Sequence, residues 1–143
     1  MKKIAILFFI LIVIVVSISI IIIDNNNKQE KIKMENSFFE SYKDKQINGT
    51  ELATVINKAF DSNYKNDVKQ DEKKKFINNN ENSISIDIKM VDVDKVYSME
   101  TLKENDIGQF VLYYNDISFK CTKIDYHKDT GRIKYMLFEQ ITY

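Results

Sequence analysis

From Ile4 to Ile23 the chain runs for twenty residues without a charge, with Ser17 and Ser19 as the only polar side chains. A helix of that length spans about 30 Å, the thickness of a bilayer's hydrocarbon core, and a helix is one of few structures that satisfies its own backbone in lipid. The two serine hydroxyls can bond back to the preceding turn. A basic start, Lys2-Lys3, precedes the run. A cleaved signal peptide shares that start, but its apolar region is roughly 7–15 residues long and ends at a small-x-small site. Here the run ends Ser19-Ile20-Ile21-Ile22-Ile23-Asp24, and no Cys near it offers an acylation site. The expectation is an uncleaved single-pass anchor, residues 1–23.

Lys28, Lys31 and Lys33 follow the span closely, so counting positive charges on the two sides does not settle orientation. A short basic start before an apolar run is the pattern of a signal-anchor, and long domains translocate largely regardless of flanking charge. The expected topology in the cell membrane has the N-terminus cytoplasmic and the C-terminal domain extracytoplasmic. Residues 24–33, polar and Asn-rich, read as a juxtamembrane linker or as a continuation of the membrane helix.

Residues 34–143 are expected to form one small α+β domain. Met34, Phe38 and Tyr42, with Phe39 alongside, make an apolar stripe at helical spacing, a stem that Asn48-Gly49 breaks. Thr50 is the expected N-cap of an amphipathic helix carrying Leu52, Val55, Ile56, Ala59 and Phe60, closed by Asp61-Ser62-Asn63. Residues 61–82 are mostly polar and read as a solvated loop. Ser83–Met90 alternates polar and apolar as a half-buried strand does. Ser98–Glu104 reads as a short helix or turn with a capping-box spacing from Thr101 to Glu104, closed by Gly108. Gln109–Tyr114, Ile117–Tyr126 and Arg132–Thr142 are aromatic and β-branched runs separated by turn chemistry, which predicts a three-stranded antiparallel meander. With Ser83–Met90 the antiparallel sheet has about four strands, covered on one side by the amphipathic helix.

Counting excludes several function classes. Of 143 residues one is Cys and one is His, so disulfide scaffolds and Cys/His zinc modules are out. The 21 basic side chains match 21 acidic ones, and setting aside Lys2 and Lys3 leaves 19 basic against 21 acidic, which gives no field to draw in nucleic acid. Cys121 and His127, six residues apart on one strand, would lie about 20 Å from each other, beyond the reach of a thiolate pair. Cys121 is expected to be a buried small side chain, and His127 a strand-end residue beside Lys128–Gly131. Asp87, Asp92 and Asp94 are the best carboxylate cluster, yet Asp92-x-Asp94 lacks the Gly turn and terminal Glu of a calcium loop and reads as a solvated strand end. Lys73-Lys74-Lys75 is offset by Asp67, Asp71 and Glu72. Asn48-Gly49-Thr50 matches the glycosylation sequon, but turn and cap account for it. No catalytic, cofactor-binding or metal-ligating residues are therefore expected. Phe110, Tyr113, Tyr114, Phe119, Tyr126, Tyr135 and Phe138 are read mainly as core, with a protein-docking face on the C-terminal sheet as the alternative.

The order of elements, an apolar N-terminal helix, a helical stem, a polar connection and a C-terminal sheet, resembles the layout of type IV pilin-like proteins. That resemblance implies a membrane-stored subunit. Those proteins carry a Gly before the processed bond and a Glu five residues into the apolar segment, neither of which stands here. The Asn48–Leu52 helix start is similar to that of small membrane-anchored proteins of Firmicutes. The expected function is a membrane-anchored, non-catalytic structural or protein-interaction domain, with a pilin-like assembly subunit and a carboxylate-based enzyme as alternatives.

Overall fold

The structure, a computed structural model, describes residues 2–91 and 95–142. It divides into two units, Met1–Met34 and Glu35–Tyr143.

The first unit is helical. Helix α1 runs from Lys2 to Glu40, so the polar stretch after Ile23 continues the helix, with Lys28 paired to Asp24 at 2.7 Å one turn away. The large apolar side chains between Ile4 and Ile23 are 48–68% exposed, and none of the apolar window is buried by the protein itself. Apolar surface of that extent is unfavourable in water. Ser17 Oγ donates to the Val13 carbonyl at 2.8 Å and Ser19 Oγ to Val15 at 2.9 Å, which removes the cost of two hydroxyls in an apolar setting. This is one helix long and apolar enough to cross a membrane.

The second unit is α+β. After the last turns of α1 come β1 (Gln46–Asn48), α2 (Gly49–Lys65), β2 (Ser85–Met90), β3 (Lys95–Ser98), α3 (Met99–Glu104), α4 (Ile107–Tyr114), β4 (Ser118–Tyr126) and β5 (Ile133–Ile141). The sheet order is β1-β4-β5-β2-β3. Three pairings are antiparallel, and β2 runs parallel to β5 in the register Ile86↔Met136 and Ile88↔Phe138. The helices cover one face. Ile86, Ile88 and Met90 of β2, Phe119 and Cys121 of β4, and Met136 and Phe138 of β5 meet Phe39, Leu52, Val55, Ile56 and Phe60 in one core.

Several elements differ from the pattern-based expectation, each for a local reason. Gln109–Tyr114 is helix rather than strand, because a short continuous apolar run fits a buried strand and a helix equally well, and the Asp106 side chain accepts from Gly108 N at 2.9 Å to start α4. The predicted three-stranded meander is therefore a β4–β5 hairpin, joined by β2 in parallel and by the short strand β1, which three residues are too few to signal. The N-cap of α2 is Asn48, not Thr50: its Oδ1 accepts from Glu51 N at 2.9 Å while Glu51 Oε2 accepts from Asn48 N at 3.2 Å, a reciprocal box. Gly49 then takes the first helical position, where a Cβ would overlap the Tyr114 carbonyl, so α2 and α4 approach closely there. The stem stripe turns on Phe39, fully buried, while Met34 is 75% exposed. The segment 61–82 is not a plain solvated loop. Helix α2 continues to Lys65, and Val68 and Phe76 enter the core.

Candidate functional site

Helix α4 has an apolar outward side. Ile-Gly-Gln-Phe-Val-Leu-Tyr-Tyr contains no charge, and only Phe110 is buried, with Tyr114 stacked on it at 4.9 Å between ring centroids. Leu112 and Tyr113 are 76% and 75% exposed, at a cost in water that an eight-residue helix with a single buried anchor does little to offset. Beside them lies a groove of about 240 Å³ between α3, α4 and the β2–β3 hairpin, with Met90, Tyr97, Leu102 and Phe110 as its apolar lining and Asn105, Asp106 and Gln109 at its polar margin. Strand β3 stands at this edge of the sheet.

The open face of the sheet has a different character. Lys89 pairs with Glu139 at 3.4 Å and Lys123 with Asp125 at 2.8 Å, both in solvent, and Lys123 Nζ lies 5.4 Å from the Tyr135 ring centre. Tyr135 Oη donates to Asp87 Oδ2 at 3.1 Å. Burial pushes the Asp87 carboxyl above its ordinary range, the Tyr135 hydroxyl works against that rise, and the Glu100 charge adds to it. Burial and the Asp87 charge together hold the Tyr135 hydroxyl up at about 12, so it remains a neutral donor. Polar and ion-paired groups dominate this face. Of the exposed large apolar side chains in the C-terminal third, Leu112 and Tyr113 sit on α4, while Val96 and the less exposed Tyr126 sit on strands β3 and β4.

The residues considered as catalytic candidates are dispersed. Cys121 is 1% exposed between Phe119 and the β5 side chains, and burial pushes its thiol up to about 11, so at neutral pH it is a protonated, inert side chain. His127 is 3% exposed at the start of the hairpin turn; its backbone N donates to Arg132 O at 2.8 Å, and Nε2 lies 2.8 Å from the Ser83 carbonyl. Both side chains are committed to packing. Asp87 faces the open side of the sheet, and Asp92 and Asp94 lie outside the described residues. Among the described residues no three His, Cys, Asp or Glu side chains gather as metal ligands would. The backbone N–H groups of Lys73 and Lys75 both donate to Asp71 Oδ1 at 2.9 Å, so that lysine run is organised as a turn. Asn48 of the sequon is the helix cap described above, and Thr50 Oγ1 donates to Asn115 Oδ1 at 2.7 Å.

No protein-family model, no curated protein and no solved structure matches the chain, so the geometry stands alone as a guide to function.

Two buried polar arrangements escaped the sequence. Asn63, fully buried, bonds with both its amide atoms to the backbone of Ile84, Nδ2 donating to O and Oδ1 accepting from N, each at 2.8 Å. Arg132 joins three elements: its guanidinium pairs with Glu35 at the end of α1 and donates to Asn66 Oδ1 at 2.9 Å at the end of α2. Neighbouring Asn36 accepts from Ile133 N at 3.0 Å and donates to Gly131 O at 2.7 Å. No periodicity marks these residues; only an Asn inside a helix, at a position where the apolar stripe would continue, hints at the first.

Proposed function

We propose that this chain is a single-pass membrane protein whose second unit is an extracytoplasmic, non-catalytic domain that docks another protein through α4. The observation that carries the anchor is the uncharged run of α1, twenty residues whose hydroxyls are satisfied within the helix. The docking role is supported by an uncharged helix with Leu112 and Tyr113 in water beside an apolar groove. The non-catalytic reading is supported by the commitment of Cys121 and His127 to packing.

Topology is tested with Cys introduced at Asn26 in intact cells. The native thiol is buried and protonated, so a membrane-impermeant maleimide should label Asn26→Cys strongly and the parent chain hardly at all. Labelling only after permeabilisation would reverse the orientation. Loss of the protein from alkali-washed membranes would remove the anchor.

Docking is tested in the same membranes with a photo-crosslinking side chain at Leu112 and, as a control, at Lys89 on the ion-paired face. A discrete protein adduct is expected from position 112 and not from position 89. Equal adducts from both positions, or none from 112, would end the docking reading.

A further inference from the structure

Glu100, in the first turn of α3, is 7% exposed and lines a groove of about 210 Å³ together with Phe60, Tyr64, Gln70, Lys74, Lys103 and a second carboxylate, Glu104. A carboxylate at that depth is costly unless it is paired or receives several hydrogen bonds. Its one hydrogen bond among the described residues comes from Phe76 N at 3.4 Å, long for a charge-assisted bond. No salt bridge reaches it among the described residues. Of the two lysines in the same lining, Lys103 is engaged elsewhere, donating to Asn57 Oδ1 at 3.1 Å with its Nζ 5.6 Å from the Phe60 ring centre. The Lys74 ammonium has no partner among the described residues. The groove thus sets a mostly buried carboxylate with one long hydrogen bond, a second carboxylate at Glu104 and an unclaimed cation around aromatic walls.

We propose that this groove binds a small zwitterion, a molecule carrying a primary ammonium and a carboxylate. The ammonium donates to Glu100 and lies against the Tyr64 ring, which attracts a cation through its negative face, while Lys103 keeps its place over Phe60. The carboxylate meets Lys74. The volume is below the roughly 300–1,000 Å³ of drug-sized pockets, which restricts the ligand to a few heavy atoms. The site is separate from the α4 surface and does not depend on the docking reading.

The test titrates the full-length chain in detergent with glycine, β-alanine and 4-aminobutyrate, following the Phe76 amide by 15N NMR because that N–H bonds to Glu100. Propylammonium and butyrate serve as half-ligands. At least one of the zwitterions should shift the Phe76 amide saturably in the millimolar range, propylammonium more weakly, and butyrate not at all. Glu100→Gln should weaken zwitterion and propylammonium binding about tenfold or more. Exposed Lys74 can be replaced with little risk to folding, and Lys74→Ala should weaken the zwitterion alone, leaving propylammonium unchanged. Absence of any saturable shift, or a Lys74→Ala effect equal on both probes, would overturn the proposal; so would a Glu100→Gln protein that folds and binds like the parent.

Discussion

Replacing Asn63 by Ala is expected to destabilise the second unit by about 3 kcal/mol, since it strips the partners from a buried backbone N–H and a buried C=O together. Ile84 is 1% exposed, so water cannot step in without opening the contact between α2 and β2. Asn63→Asp should be no better: a carboxylate can still accept from Ile84 N, but it cannot donate to the Ile84 carbonyl and it buries a charge. Chemical denaturation of the detergent-solubilised chain gives the free energy, and hydrogen exchange at Ile84 gives the place. Against a total stability typically of about 5–15 kcal/mol, the loss should be plain in the midpoint. An Ile84 amide that stays protected in Asn63→Ala would mean that the helix and strand hold together without the clamp. The effect should reach the hairpin turn, because the Ser83 carbonyl beside Ile84 is the one His127 contacts.

The second large effect is expected at Glu35. Its carboxylate pairs with Arg132 where both side chains are mostly buried, at 17% and 14% exposure, and Arg132 Nε has no partner among the described residues. Glu35→Ala leaves the guanidinium buried with only Asn66 to receive it, and breaking a buried pair from one side costs about 3–5 kcal/mol. The same change removes one tie between the last turns of α1 and the hairpin, leaving Phe39, the Asn36 bonds and the Tyr126–Glu40 hydrogen bond to hold them. Glu35→Met combined with Arg132→Met should recover much of the loss, because replacing both members by apolar side chains removes the uncompensated charge. Thermal unfolding of the two variants separates the cases: a single variant as stable as the parent would mean that Arg132 reaches solvent, and a double variant as poor as the single would mean that shape, not charge, is what the pair supplies.

How far the residues announced the structure can be followed element by element. The apolar run is legible from its length without a charge, and the amphipathic helix over 50–60 and the alternation over Ser83–Met90 because each buries one side of itself, and burial of one side imposes a period. Gln109–Tyr114 was misread as strand because it is apolar nearly throughout, and a run without polar interruptions has no period to read. The parallel pairing of β2 with β5 was equally hidden. Alternation in β2 shows that one face is buried, but it is the same whichever way the neighbour runs. Of the candidate site residues, the burial of Cys121 followed from composition around it. Glu100 does not stand out, because a Glu two residues past Ser98, which caps α3 by accepting from Thr101 N where the spacing had suggested Thr101 itself, looks like any first-turn acid; the distant segment that carries Phe76 closes over it.

What the sequence by itself determined is the division between a lipid-compatible helix and a small α+β domain, since that follows from counts of apolar residues and their spacing. Only the tertiary structure decided which polar side chains became interior: Asn63, Arg132 and Glu100 are ordinary residues until distant segments close around them. It also decided that an apolar helix, α4, is left with Leu112 and Tyr113 facing out. The reason is the same in each case. Hydrophobic periodicity is local and written along the chain, whereas the desolvation of a single polar group, or the failure to cover an apolar one, depends on partners far away in sequence.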